Sequence, residues 1–86
     1  MAVYKVNFKP SVDKEFRSIP NIELRKILKR IEALATNPRT PGYEKLTSQN
    51  KCRVRQGNYR IIYTIDDDEL KVRVMKVGHR KDIYQK

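Results

Sequence analysis

Gly57-Asn58 constrains this chain more than any other pair of residues. It stands between two runs rich in strand-forming side chains, at about 51–56 and 59–65. A two-residue Gly-containing loop in that setting marks a β-hairpin, and the loop length sets the register. Gln56 then pairs with Tyr59, Arg55 with Arg60, Val54 with Ile61 and Arg53 with Ile62. Side chains alternate along a strand, so Arg53, Arg55 and Arg60 share one face. Val54, Ile61, Tyr63 and Ile65 take the other face, towards a core. Like charges placed opposite one another weaken a strand pair. Three guanidinium groups on one wall therefore call for a reason outside folding.

The remaining segments supply a partner layer for that sheet. "VYKVNF" alternates, with Tyr4, Val6 and Phe8 on one side and Lys5 and Asn7 on the other, and reads as a strand ended by Pro10. "SVDKEFRSI" spaces Val12, Phe16 and Ile19 as a helical stripe with Ser11 as N-cap, and Pro20 ends it. Asn21 caps a second, longer helix whose stripe is Leu24, Ile27, Leu28, Ile31, Leu34 and Ala35, stopped by Asn37-Pro38. Residues 38–50 are turn-rich and read as a surface loop. After the hairpin, Asp66-Asp67-Asp68 suits a turn. A last strand over about 69–77 then sets Leu70, Val72 and Val74 against Lys71 and Arg73. Its alternation falters at Lys76, which predicts partial cover for Met75 and Val77 on the second face. A strand, two helices and an antiparallel three-stranded meander make an α+β fold with both helices on one face of a small sheet. The arginine face stays open.

Charge narrows the partner. Twenty Lys and Arg against ten Asp and Glu give a net charge of +10. The excess is spread through the chain, because residues 1–50 and 51–86 carry the same balance of basic and acidic side chains. A positive field of that size on a small body favours a polyanion. Eighty-six residues suffice for one domain with one modest core, here residues 1–86. No apolar run reaches the roughly 18 residues of a membrane span and no signal-peptide pattern is present, so a soluble, cytoplasmic protein is expected. The lone Cys52 excludes a disulfide framework and reads as a small buried hydrophobe.

The polar residues that could carry chemistry are basic. Arg53, Arg55 and Arg60 are joined near the C-terminus by His79, Arg80, Lys81 and Tyr84. Acidic residues fall in turns and on helix faces, which disfavours paired-carboxylate chemistry. One histidine and one cysteine give no metal-spaced cluster, and no Gly-rich phosphate loop occurs. Guanidinium groups do suit a phosphodiester, since Arg forks a phosphate and stabilises charge building on its oxygens. Tyr84 can stack on an unpaired base. RNA brings its own nucleophile in the 2′-hydroxyl, so cleavage needs neither metal nor cofactor. The same wall also serves plain binding, and spacing alone leaves both readings open. Arg25, Lys26, Lys29 and Arg30 lie opposite the apolar stripe of the second helix, either as a solvated face or as phosphate contacts.

"CRVRQGNYRIIYTI" followed by "VMKVGHRKDIY" resembles the RelE toxins of the RelE/ParE superfamily, over essentially the whole chain. The resemblance extends to Lys45-Leu46 in the loop. It implies the toxin of a type II toxin–antitoxin system, held by a RelB-type antitoxin. Such a toxin is a ribosome-dependent endoribonuclease that cuts messenger RNA in the ribosomal A site by 2′-hydroxyl attack. On that resemblance Arg53 and Arg55 are the basic pair of the first hairpin strand, and Arg60 stabilises the transition state. Arg80 assists the leaving 5′-oxygen and Tyr84 stacks on the substrate. Lys45, Arg73 and Lys81, with the helix cations, become RNA or ribosome contacts. The best-known relatives have lysines where Arg53 and Arg55 stand, and arginine is a poor base near neutrality. That departure leaves catalysis chiefly to positioning and charge stabilisation, or gives the proton to another group. The candidates are His79, which has the right intrinsic pKa but would face opposite to Arg80 in an extended strand, and Tyr84. The ParE branch implies gyrase inhibition instead, and a non-catalytic RNA- or ribosome-binding module is the third reading.

Overall fold

A computed structural model of the chain describes residues 3–46 and 51–79. The first strand, β1 (Lys5–Phe8), is followed by α1 (Ser11–Arg17) and α2 (Asn21–Leu34). Four strands come next: β2 (Glu44–Leu46), β3 (Lys51–Gln56), β4 (Tyr59–Asp66) and β5 (Lys71–His79). They form a mixed five-stranded sheet in the order β1-β5-β4-β3-β2, with β1 parallel to β5 and the other pairs antiparallel. No described helix is long and apolar enough to cross a membrane.

The hairpin register is the one read from Gly57-Asn58: Gln56 opposite Tyr59, Arg55 opposite Arg60, Val54 opposite Ile61. Gly57 carries the left-handed backbone at φ 61°, which glycine adopts without steric cost. Asn58 keeps an ordinary φ, so glycine occupies the first loop position of the II′ pattern. Cys52, Val54, Ile61 and Tyr63 are buried towards α1 and α2, where Val12, Ile27, Ile31 and Leu34 meet them. Burial also raises the Cys52 thiol pKa, as befits a core residue.

Four local expectations change. Pro10 and Pro20 hold the N-cap positions, so Ser11 and Asn21 are the first helical residues and no side chain caps either helix. Proline does this because its ring already fixes a helix-compatible φ and it has no N–H to satisfy. Leu28 leaves the stripe, at 41% exposed, because it lies about 100° around the helix from Ile27. Leu70 belongs to the turn before β5 and has φ 53°. A three-residue strand, β2, emerges from the turn-rich segment, pairing Glu44 with Arg53 and Leu46 with Lys51.

The faltering alternation in β5 is a bulge. Ile62 pairs with Lys76 but Tyr63 pairs with Val74, leaving Met75 as the extra residue. Val77 therefore points into the same core as Val74, and Met75 alone is the half-covered one. Glu15 of α1 accepts a hydrogen bond from the Val77 N–H at 2.9 Å, tying the helix to the strand just past the irregularity. At the far end of the sheet, the Tyr63 hydroxyl donates to the Pro38 carbonyl. Arg39 forks Asp67 at 3.1 and 2.8 Å, and the Tyr4 hydroxyl donates to the same carboxylate at 2.7 Å. These contacts pin the segment after α2 to both β1 and the β4–β5 turn.

Candidate nucleic-acid interface

The sheet brings Arg53, Arg55 and Arg60 to the face away from the helices. Arg55 and Arg60 are direct cross-strand partners, and Arg53 is two residues from Arg55 on the same strand. Arg55 is exposed and Arg53 half-buried, whereas Arg60 is only 7% exposed. Burying a charge is expensive unless it is paired, yet Arg60 Nη1 has no hydrogen-bond partner. Unlike its neighbour Arg53, Arg60 has no carboxylate against it among the described residues.

Glu44 is the acidic residue the sequence reading overlooked on this face. It stands on β2 directly across from Arg53, whose Nε and Nη2 both donate to Glu44 Oε1. The hydrogen bond from Arg53 holds the Glu44 carboxyl below the usual range, and the charges of Arg53, Arg55 and Arg60 add to the effect. The carboxylate thus anchors one arginine of the wall, and among the described residues the other two have no carboxylate in direct ion-pair contact. A cavity of about 460 Å³ opens here, lined by Arg30, Gly42, Tyr43, Glu44, Arg53, Val54, Arg55 and Arg60.

The other sequence candidates separate. Arg73 pairs with Thr64, and Thr64 shares its side of β4 with Ile62 and Arg60, so Arg73 joins the open face. The bulge adds Lys76 to the same face, opposite Ile62, a placement strict alternation could not reveal. Lys45 pairs with Cys52 and so lies on the other side from Glu44. His79 also turns away: it pairs with Tyr59, one step from the Arg60–Gly78 pair, and its ring meets Tyr59 edge-on at 5.6 Å. It lines a separate cavity with Glu23 and Lys26 of α2. Arg25, Lys26 and Lys29 are exposed on the outer side of α2, beside Ile22 and Leu28. Arg30 parts from them and faces the arginine cavity. Arg80, Lys81 and Tyr84 lie outside the described residues.

Residues 6–84 match the family described as the ParE toxin of type II toxin–antitoxin systems. A RelE-like toxin protein of Escherichia coli is 27% identical over 86 residues, covering 94% of this chain and 90% of the relative. A chain of an archaeal RelE–RelB complex from Pyrococcus horikoshii superposes with a TM-score of 0.80 at 26% identity, over 91% of this chain and 96% of its own. A chain of the RelBE2 toxin–antitoxin complex of Mycobacterium tuberculosis shares the fold, with a TM-score of 0.82 at 24% identity over 92% and 100% of the two chains. The protein belongs to the ParE toxin family, within the RelE/ParE superfamily of type II toxin–antitoxin toxins.

Proposed function

We propose that this toxin is a metal-independent endoribonuclease that cuts messenger RNA in the ribosomal A site and so stops translation. The observation that carries the reading is the excess positive charge of the arginine wall: Arg55 opposite Arg60, with Arg60 buried and in no ion pair with a carboxylate among the described residues. A phosphodiester supplies the missing negative charge. In the proposed reaction the 2′-hydroxyl attacks the adjacent phosphorus, the 5′-oxygen leaves, and a 2′,3′-cyclic phosphate forms. Negative charge grows on the non-bridging oxygens in that transition state, where fixed guanidinium donors act without reorganising.

Within this proposal Arg60 stabilises the pentacovalent phosphorus, and Arg53 and Arg55 bend and neutralise the backbone. Arg80 assists the leaving oxygen and Tyr84 stacks on a base, the roles their family resemblance implies. Glu44 holds Arg53 in place, its lowered pKa making it a weak proton acceptor. His79 receives no part as base, because it faces the helix side of the sheet. Positioning and charge stabilisation carry the rate. Arg73 and Lys76 on the open face contact ribosomal or messenger phosphates, and Arg25, Lys26, Lys29, Lys45 and Lys81 add further phosphate contacts elsewhere on the basic body.

The regulatory partner in this proposal is a RelB-type antitoxin, since related toxins were solved in complexes with RelB. Its toxin-binding segment is acidic, to match a body of net charge +10. The family's description as ParE favours one second reading, inhibition of DNA gyrase. Pulse-labelling after induction separates the two. Collapse of protein synthesis ahead of DNA synthesis supports cleavage on the ribosome, and the opposite order supports gyrase.

A further inference from the structure

We propose that Arg30 of α2 is a fourth member of the arginine site, and that the cavity it completes seats one phosphate group independently of any base. The proposal deepens the nuclease reading by naming a residue and a ligand for the same cavity. It can nevertheless fail separately from that reading.

Arg30 belongs to the helix layer, so its arrival at the open face needs a route. β2 pairs with β3 only over Lys51, Cys52 and Arg53. Among the described residues, the Val54–Gln56 end of β3 has no strand beyond it. The cavity sits at that uncovered edge, lined by Val54 and Arg55 from β3 and by Gly42 and Tyr43 leading into β2. Arg30 reaches it from behind. On a helical wheel Arg30 lies only about 60° from the buried Ile27, whereas Arg25 and Lys29 lie on the far side. That placement makes it half-buried where Arg25, Lys26 and Lys29 are exposed.

Two buried side-chain nitrogens in the described residues lack a hydrogen-bond partner, Arg30 Nε and Arg60 Nη1. Both belong to arginines lining this one cavity. Buried polar groups in folded proteins are nearly always satisfied, so each exception calls for a reason, a bound ion among them. Four arginines share the cavity with one carboxylate, Glu44, which Arg53 already engages. The remaining excess of positive charge sits on Arg30, Arg55 and Arg60. A tetrahedral oxyanion carries enough acceptors to meet donors from β3, β4 and α2 together, after small rotations of their side chains. A base has no such charge, so phosphate is the recognised group.

The test titrates the folded chain with inorganic phosphate and follows the arginine Nε–Hε resonances by NMR. Saturable shifts of both Arg30 and Arg60 are expected. Arg30→Gln should weaken phosphate binding about five- to tenfold, as befits loss of a charge-assisted hydrogen bond. Arg17→Gln, which removes the same charge from the exposed side of α1, should change it less than about twofold. Arg30→Lys keeps the charge without the fork and should fall between the two. Should Arg30→Gln not fold, the wild-type resonances still decide. Unmoved Arg30 signals, or equal effects of Arg30→Gln and Arg17→Gln, overturn the proposal. Wild-type cleavage of message on ribosomes alongside either result would remove Arg30 and leave the nuclease reading intact. Arg30-dependent phosphate binding without cleavage would uphold the seat and remove the nuclease reading.

Discussion

Arg55 and Arg60 face each other across the hairpin, and the second of them is 7% exposed. Sheet stability gains nothing from that arrangement, since like charges opposed on one face repel and a buried unpaired charge costs more. Replacing Arg60 by an apolar side chain of similar length should therefore separate folding from function. Arg60→Met is expected to leave stability unchanged or to raise it by about 1 kcal/mol, a melting shift of at most about 4–8 °C upward. Message cleavage should drop at least about a hundredfold. Calorimetry beside a cleavage assay checks this. A large loss of stability matching the loss of activity would make Arg60 a structural residue.

The Arg39–Asp67–Tyr4 cluster gives the fold a defined acid response. Hydrogen bonds from Arg39 and then Tyr4 hold the Asp67 carboxyl at about 2, against an ordinary value of 3.8. A depressed folded-state pKa means the unfolded chain binds more protons between those values, so stability rises with pH there. The contribution is fully present above about pH 4 and is lost as pH falls through about 2. Wild type should accordingly exceed Asp67→Asn in stability at pH 6, with the gap closing below pH 4. Urea titrations across that range would measure the difference. A gap independent of pH would mean the carboxylate's charge is not what the cluster uses.

Leu70 holds a left-handed backbone at φ 53° just before β5 begins, while its side chain is 38% exposed. A branched side chain in that region is strained by about 1–2 kcal/mol, and Leu70 is not among the buried core residues that would offset it. Leu70→Gly should stabilise the chain by roughly 0.5–1 kcal/mol, the strain relief exceeding glycine's extra entropy. The urea midpoint would rise with an unchanged slope. A lower midpoint would show that Leu70's contacts outweigh its backbone.

The open face also predicts a salt response. If Arg55, Arg73, Lys76 and their neighbours each neutralise a phosphate, ribosome affinity falls as a high power of salt concentration. With about six contacts the loss is about a thousandfold between 50 and 200 mM salt. Sedimentation of toxin with ribosomes at graded salt measures the slope. A flat response would remove nucleic-acid phosphates as the partner.

Sequence patterns were most legible where two signals agreed. Gly57-Asn58 and strict alternation together gave the β3–β4 pairing residue by residue, and with it the arginine face. Reading failed where a single residue shifted the frame or a segment was too short to have a period. Met75's bulge carried Lys76 to the open face, and three-residue β2 hid Glu44 among turn-forming neighbours. Arg30 reads with Arg25 and Lys29 as one polar face, although its position on the wheel borders the core. Pro10 and Pro20 took the cap positions from Ser11 and Asn21, since proline needs no N–H partner there. Each miss is a tertiary or frame effect that a one-dimensional pattern does not encode.

The central claim meets its most direct test on programmed ribosomes. Purified toxin is mixed with ribosomes holding a labelled message, Arg60→Met is run in parallel, and the new 3′ ends are mapped. Cuts inside the A-site codon, absent with the variant and absent without ribosomes, are the predicted result. A message left intact by the wild type, or cut equally by Arg60→Met, would contradict the assignment of cleavage to the arginine wall.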